Sequence, residues 1–251
     1  MRRKAQLELR LESIIETQQT SALYPLFKPS SNSAWGIDEA TVNPSRVNMK
    51  RMYKAIIFDL GKVLVEFDFK RGYRQLETLC PYPAAEIPKR IGTTDLVGRF
   101  ETGLIEPADF VSQFSGLLGL ELDYDHFCRI WSCIFSDTLL PDSMIEGLAA
   151  RYRLVLLSNT NAIHFEMVRA NYPILRHFHE LVLSYEVKAM KPQPEIFRAA
   201  IERAGCLPEE CFYTDDIPQF VEAARREGID AVQFRSAEQI QEALKARGIS
   251  W

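Results

Sequence analysis

From residue 53 onward the chain alternates short apolar runs with amphipathic stretches. The runs lie at 55–58, 154–157, 181–183, 211–214 and 231–234. Each is apolar on both faces and bounded by turn or charged residues, the pattern of strands buried inside a parallel sheet. Between the last three runs the period becomes helical. Pro192 and Pro194 open a helix over 195–204 that Gly205 closes, and Pro218 opens another that ends at Gly228. Ser236 and Gln239 have capping-box spacing for a final helix. Strand–helix repetition of this kind predicts an α/β, Rossmann-like parallel sheet with helices on both faces. Its site then lies at the C-terminal ends of the strands.

One interval breaks the alternation. About 95 residues separate the first run from the second, too many for a plain crossover. The interval reads as helical over 71–79, 96–102, 107–118, 124–135 and 143–152. The expected organisation is a core of residues 53–68 and 141–251 with a helical insertion, 69–140, seated over the strand ends as a cap. A lid that excludes water suits chemistry on a charged substrate. Residues 1–52 differ: an amphipathic helix over 4–19, then a Ser-, Asn- and Pro-rich stretch with little periodicity, read as a flexible extension.

Composition narrows the function. The chain has 251 residues, 47% hydrophobic and 25% charged, with a formal net charge of -4. That balance gives no electrostatic reason to expect nucleic-acid binding. No apolar run reaches the roughly 20 residues needed to cross a bilayer. The start, Met1-Arg2-Arg3-Lys4, is basic but lacks the apolar core of a signal peptide, so a cytoplasmic protein, monomer or homodimer, is expected. The five cysteines (Cys80, Cys128, Cys133, Cys206 and Cys211) include no CxxC pair, and reduced thiols are the expectation. His177 and His179 read as a surface turn rather than a metal site.

Four strand ends carry chemistry. Asp59 follows the first run directly. Ser158-Asn159-Thr160-Asn161 follows the second, offering a hydroxyl, amides and a helix start for phosphate oxygens. Lys191 stands just before a helix, and Asp215-Asp216 ends the fourth run. Each alone has an ordinary reading as a cap or a solvated charge. Together they bring three carboxylates, a lysine and neutral donors to one sheet edge, a set of hard ligands suited to Mg²⁺ and a phosphoryl group.

The order and spacing of these four segments resemble the haloacid dehalogenase superfamily, over residues 53–251, with the insertion similar to its type 1 cap. Phe58-Asp59-Leu60-Gly61, Ser158-Asn159-Thr160-Asn161 and Phe100-Glu101-Thr102-Gly103 look like the branch containing glucose-1-phosphate phosphatases. The resemblance implies a Mg²⁺-dependent phosphatase acting on a small phosphorylated metabolite, a sugar 1-phosphate favoured. It implies Asp59 as nucleophile and Lys191 paired with it and the phosphate. Ser158, Asn159 and Thr160 would contact the phosphoryl group, with Glu101 and His164 as further substrate contacts. Asp59, the Gly61 carbonyl, Asp215 and Asp216 would hold the metal.

The sequence departs from that family at Gly61, where most of its phosphatases carry a second Asp serving as general acid and base. Such catalysis is worth about 10²–10⁴-fold, so leaving groups that depart unaided are expected to be favoured. Glu66, Asp68, Glu101 and His164 are the candidates to replace the acid. Two alternatives stand beside the phosphatase. One is a metal-independent 2-haloacid dehalogenase, which would not need Asp215-Asp216. The other is a non-catalytic binding protein on the same scaffold.

Overall fold

A computed structural model describes residues 52–251. The readings of residues 1–51, the amphipathic helix included, lie outside the described residues. The five apolar runs form one parallel sheet of β1 (Ala55–Phe58), β4 (Arg153–Ser158), β5 (Glu180–Leu183), β6 (Cys211–Asp215) and β7 (Asp230–Gln233), in the order β5-β4-β1-β6-β7. Alternating residues of β1 explain why the runs are apolar throughout. Ile56 and Phe58 pack into one core with Leu154, Leu156, Ile145, Leu148 and Leu244, while Ala55 and Ile57 enter a second with Val155, Leu157, Phe197 and Val221. Both faces are therefore dry, as a parallel sheet requires.

Helices cover the two faces. Asp142–Ala149 (α6), Ala162–Asn171 (α7) and Ala237–Ala246 (α11) contribute to the first core. Pro194–Ala204 (α9) and Pro218–Arg226 (α10) contribute to the second. The predicted stop at Gly205 is a left-handed C-cap (φ 67°), and Ser236 accepts the Gln239 N–H as predicted. A short helix, Ser184–Val187 (α8), follows β5 directly.

The long interval holds Phe69–Leu76 (α1), Ile87–Ile91 (α2), Leu96–Glu101 (α3), Pro107–Leu118 (α4) and Tyr124–Ser132 (α5). It is not purely helical. Val65–Phe67 (β2) and Phe135–Thr138 (β3) pair antiparallel at its base, with Phe67 opposite Phe135. The expected helix over 124–135 thus stops at Ser132, and Phe135 belongs to a strand. A three-residue strand with only one buried residue leaves too little period-2 signal to find. The helices share an aromatic core: Phe100 stacks on Phe110 at 4.0 Å between centroids, and Phe114, Phe127 and Trp131 extend it at 5.0–6.0 Å. Among the described residues no helix is long and apolar enough to cross a membrane.

Candidate active site

Parallel strands end on one side, which brings distant residues together. In the central strand, Phe58 is in register with Leu156 of β4 and Thr214 of β6, and the Asp59 N–H donates to the Thr214 carbonyl at 3.0 Å. Asp59, Ser158 and Asp215 therefore line up across three adjacent strand ends, beside the point where strand order reverses. Lys191, followed by a cis peptide to Pro192, meets the two carboxylates. Its Nζ donates to Asp59 Oδ1 and to Asp215 Oδ2, both at 2.7 Å, with the Leu157 carbonyl at 3.4 Å. The lysine is 2% exposed and Asp215 fully buried, so neither ion finds water.

Charges out of water persist only when paired. Burial would push the Lys191 ammonium down, but Asp215 and Asp59 outweigh it and hold the group above its ordinary value. Burial pushes the Asp59 carboxyl up to about 8, opposed by Lys191 and reinforced by Asp215 and Asp216. Asp216 is likewise raised, to about 6, by burial and by Asp215. One ammonium cannot neutralise three carboxylates. Oxygens of Asp59, Asp215 and Asp216 all lie within 4.8 Å of one another, so the donor set, its crowding and its surplus negative charge fit a hard divalent cation.

The acidic pair divides its work. Asp215 takes Lys191 and the Tyr213 hydroxyl on Oδ2, and the Ile217 N–H at 2.8 Å on Oδ1. Asp216 is partly exposed, along a groove shared with Lys62, Glu66 and Arg235. Asp216 and Asp59 are thus better disposed to meet an ion, and Asp215 to hold the lysine. Gly61 sits in the turn just beyond β1, where the Leu64 and Val65 N–H groups fold back onto the Leu60 carbonyl.

The expected phosphate loop is partly occupied with holding itself. The Ser158 hydroxyl is buried, and its contact with the Asn159 carbonyl is long, at 3.5 Å. The Asn159 side chain instead clasps the Lys191 backbone, accepting its N–H at 2.8 Å and donating to its carbonyl at 3.0 Å. The expected contact of that side chain with a phosphoryl oxygen gives way to positioning of the lysine. The Thr160 N–H donates to Ser184 Oγ, which donates back to the Thr160 carbonyl, both at 2.9 Å. Of the Thr160 polar groups, that leaves the hydroxyl for a ligand.

His164 departs furthest from expectation. Its Nδ1 faces the Asn161 amide at 3.1 Å and its Nε2 the Trp131 carbonyl at 2.9 Å, with the ring stacked on Trp131. An amide N–H donates to Nδ1, so the proton is on Nε2 and is given to the carbonyl. Burial pushes the imidazole down to about 4, and the ring stays neutral. Neither nitrogen is left for a substrate or for acid catalysis: a buried ring must spend both on the protein. Of the other proton donors considered, Glu66 accepts from Lys62 and from the Phe67 N–H, and Asp68 caps α1. Glu101 ends α3, two residues before Gly103, whose carbonyl receives the Lys188 ammonium at 2.6 Å.

Sequence reasoning missed Tyr213 and Ser184. Tyr213 lies two residues before Asp215, hence on the same face of β6, and a buried tyrosine in an apolar run needs a partner for its hydroxyl. Ser184 stands at a strand end, as Asp59 and Ser158 do. His177 bonds Asp142 at 3.0 Å and His179 accepts from the Leu154 N–H at 2.9 Å. All five cysteines are free.

The chain belongs to the haloacid dehalogenase-like hydrolases, whose family pattern matches residues 53–228. It is 28% identical over 189 residues to D-ribitol-5-phosphate phosphatase of Bacteroides thetaiotaomicron, covering 72% of this chain and 92% of that one. A crystal structure of a family enzyme from Bacteroides thetaiotaomicron, in complex with magnesium and inorganic phosphate, superposes with a TM-score of 0.66 at 30% identity, over 73% of this chain and 95% of that one. A family hydrolase of Porphyromonas gingivalis superposes at 0.69 with 25% identity, over 80% of this chain and all of that one.

Proposed function

We propose that this hydrolase is a magnesium-dependent phosphatase acting on a small sugar phosphate, with sugar 1-phosphates favoured, as in the glucose-1-phosphate phosphatase-like branch. Residues 69–140 serve as its type 1 cap over a core of 53–68 and 141–251. The observation that carries the reading is the Lys191 ammonium held between Asp59 and Asp215 at 2.7 Å from each, within an oxygen cluster completed by Asp216. A relative that hydrolyses a sugar-alcohol phosphate and another that binds magnesium and phosphate support it.

In this reading an Asp59 oxygen attacks phosphorus in line, and the bond to the leaving oxygen breaks with the electron pair departing on that oxygen. Water then cleaves the aspartyl-phosphate, releasing inorganic phosphate and restoring the carboxylate. Lys191 fixes the attacking oxygen and balances the phosphoryl charge, while the Ser158 hydroxyl donates to a phosphoryl oxygen. Asp59, Asp216 and the Gly61 carbonyl would hold Mg²⁺, whose charge would further neutralise the phosphoryl oxygens. The test is a screen of sugar phosphates, nucleotides and acyl phosphates with and without Mg²⁺, with Asp59→Asn as control. Metal-dependent phosphate release that Asp59→Asn abolishes is expected; release that survives strong chelation, or the substitution, contradicts the reading.

A further inference from the structure

Glycine stands at position 61, where the family resemblance leads one to expect an Asp, for a reason visible in its surroundings. Its backbone does not demand glycine, because it is not among the positive-φ glycines of the described residues. The obstacle is a side chain. A Cβ built on Gly61 would lie 2.6 Å from Phe67 Cε1, 3.1 Å from Cδ1 and 3.7 Å from Cζ. The first distance is far inside van der Waals contact.

Phe67 is half-buried and held by its neighbours. Its ring packs edge-on against Phe69 at 5.1 Å and Phe135 at 6.1 Å, and the Lys62 ammonium stands 5.2 Å from its centroid. Its backbone is fixed opposite Phe135 in the β2–β3 ribbon, and its N–H donates to Glu66 Oε1 at 3.0 Å. The turn from Leu60 to Val65 brings this ribbon back over Gly61.

We propose that Phe67 is a specificity-determining residue whose ring fills the seat of a second carboxyl, so that the leaving group meets an aromatic surface instead of a proton donor at position 61. Residues 61 and 67 are then one device: a carboxyl at 61 requires a smaller side chain at 67. The leaving oxygen must carry its electron pair away without a proton from this position. That selects phosphates with acidic leaving groups, acyl phosphates and sugar 1-phosphates, over simple alkyl phosphates. The steric half of this inference stands on the packing alone, and the leaving-group half rests on the phosphatase reading above.

The experiment compares the full chain with Gly61→Asp, Phe67→Ala and the double variant, using Phe67→Leu as well in case alanine loosens the ribbon. Thermal melts report the steric half. Gly61→Asp should lower Tm in the wild-type background and by much less once residue 67 is small; equal losses in both backgrounds overturn the shared seat. Turnover of acetyl phosphate and glycerol 3-phosphate with Mg²⁺ reports the other half. From the residue-67 variant to the double variant, the ratio of glycerol 3-phosphate to acetyl phosphate turnover should rise by about a hundredfold, the lower reach of general acid catalysis. An equal gain from Gly61→Asp alone, or no gain in the double variant while acetyl phosphate still phosphorylates Asp59, overturns it. Failure of every variant to phosphorylate Asp59 sinks the phosphatase reading and the leaving-group half together, and the melts still decide the steric half.

Discussion

The strand-end cluster and the aromatic core of the helical insertion are both buried, yet they are assembled on opposite terms. In the cluster, Lys191, Asp59 and Asp215 surrender hydration and recover it through 2.7 Å ion pairs that leave negative charge in excess. In the insertion, Phe100, Phe110, Phe114 and Phe127 are almost completely buried and gain from every contact. One region is held together against its own electrostatics and is completed by an added cation. The other is complete as it stands. Stability in the first should respond to metal and charge, and in the second only to volume.

The largest effect expected from breaking this contrast is at Lys191. Lys191→Met leaves two buried carboxylates facing each other, and uncompensated buried charge costs about 3–5 kcal/mol. Urea unfolding without metal should show that loss, and added Mg²⁺ should narrow it. Phe114→Ala should cost a similar or slightly smaller amount, about 3–5 kcal/mol for an aromatic cavity, and Mg²⁺ should leave that loss unchanged. If metal rescued both variants alike, the contrast between the regions would not hold.

His164 joins the two regions, bonding the Trp131 carbonyl at the end of α5 and Asn161 at the start of α7. Its folded value, about 4, lies below the ordinary 6.5, so the unfolded chain binds a proton that the folded chain refuses. Its stability contribution is intact above pH 6.5 and declines as pH falls from there toward 4. At about 1.4 kcal/mol per unit, the loss reaches at most about 3.5 kcal/mol. His164→Gln should flatten that part of the stability–pH curve relative to wild type; parallel curves would show the ring titrates normally. The smallest effect is at Tyr213. Tyr213→Phe removes one hydroxyl from Asp215, about 1–2 kcal/mol, and should lower kcat more than it raises KM, because Asp215 steadies Lys191 rather than binding substrate.

The two regions also differed in how far the sequence disclosed them. Asp59, Ser158 and Asp215 were legible because a parallel sheet sends every strand end to one side, so position along the chain already implied convergence. The five runs became the five strands for the same reason, each apolar on both faces. What escaped was set by cross-chain packing. The β2–β3 ribbon depends on Phe67 meeting Phe135, and the spent nitrogens of His164 depend on Trp131 and Asn161 arriving from separate helices. Asn159 looked like a phosphate donor because the sequence does not reveal that the Lys191 backbone meets its amide on both sides. The expectation at Gly61 named the missing acid but not the ring that excludes it.

The account turns on Asp59 as a nucleophile that is transiently phosphorylated. The direct measurement is intact-protein mass spectrometry after rapid acid quench of the protein mixed with acetyl phosphate and Mg²⁺. A species heavier by one phosphoryl group, with the group on Asp59, lost on chelation and absent from Asp59→Asn, is the predicted result. Turnover with no such species, or a phosphoryl group equally abundant in Asp59→Asn, would contradict it.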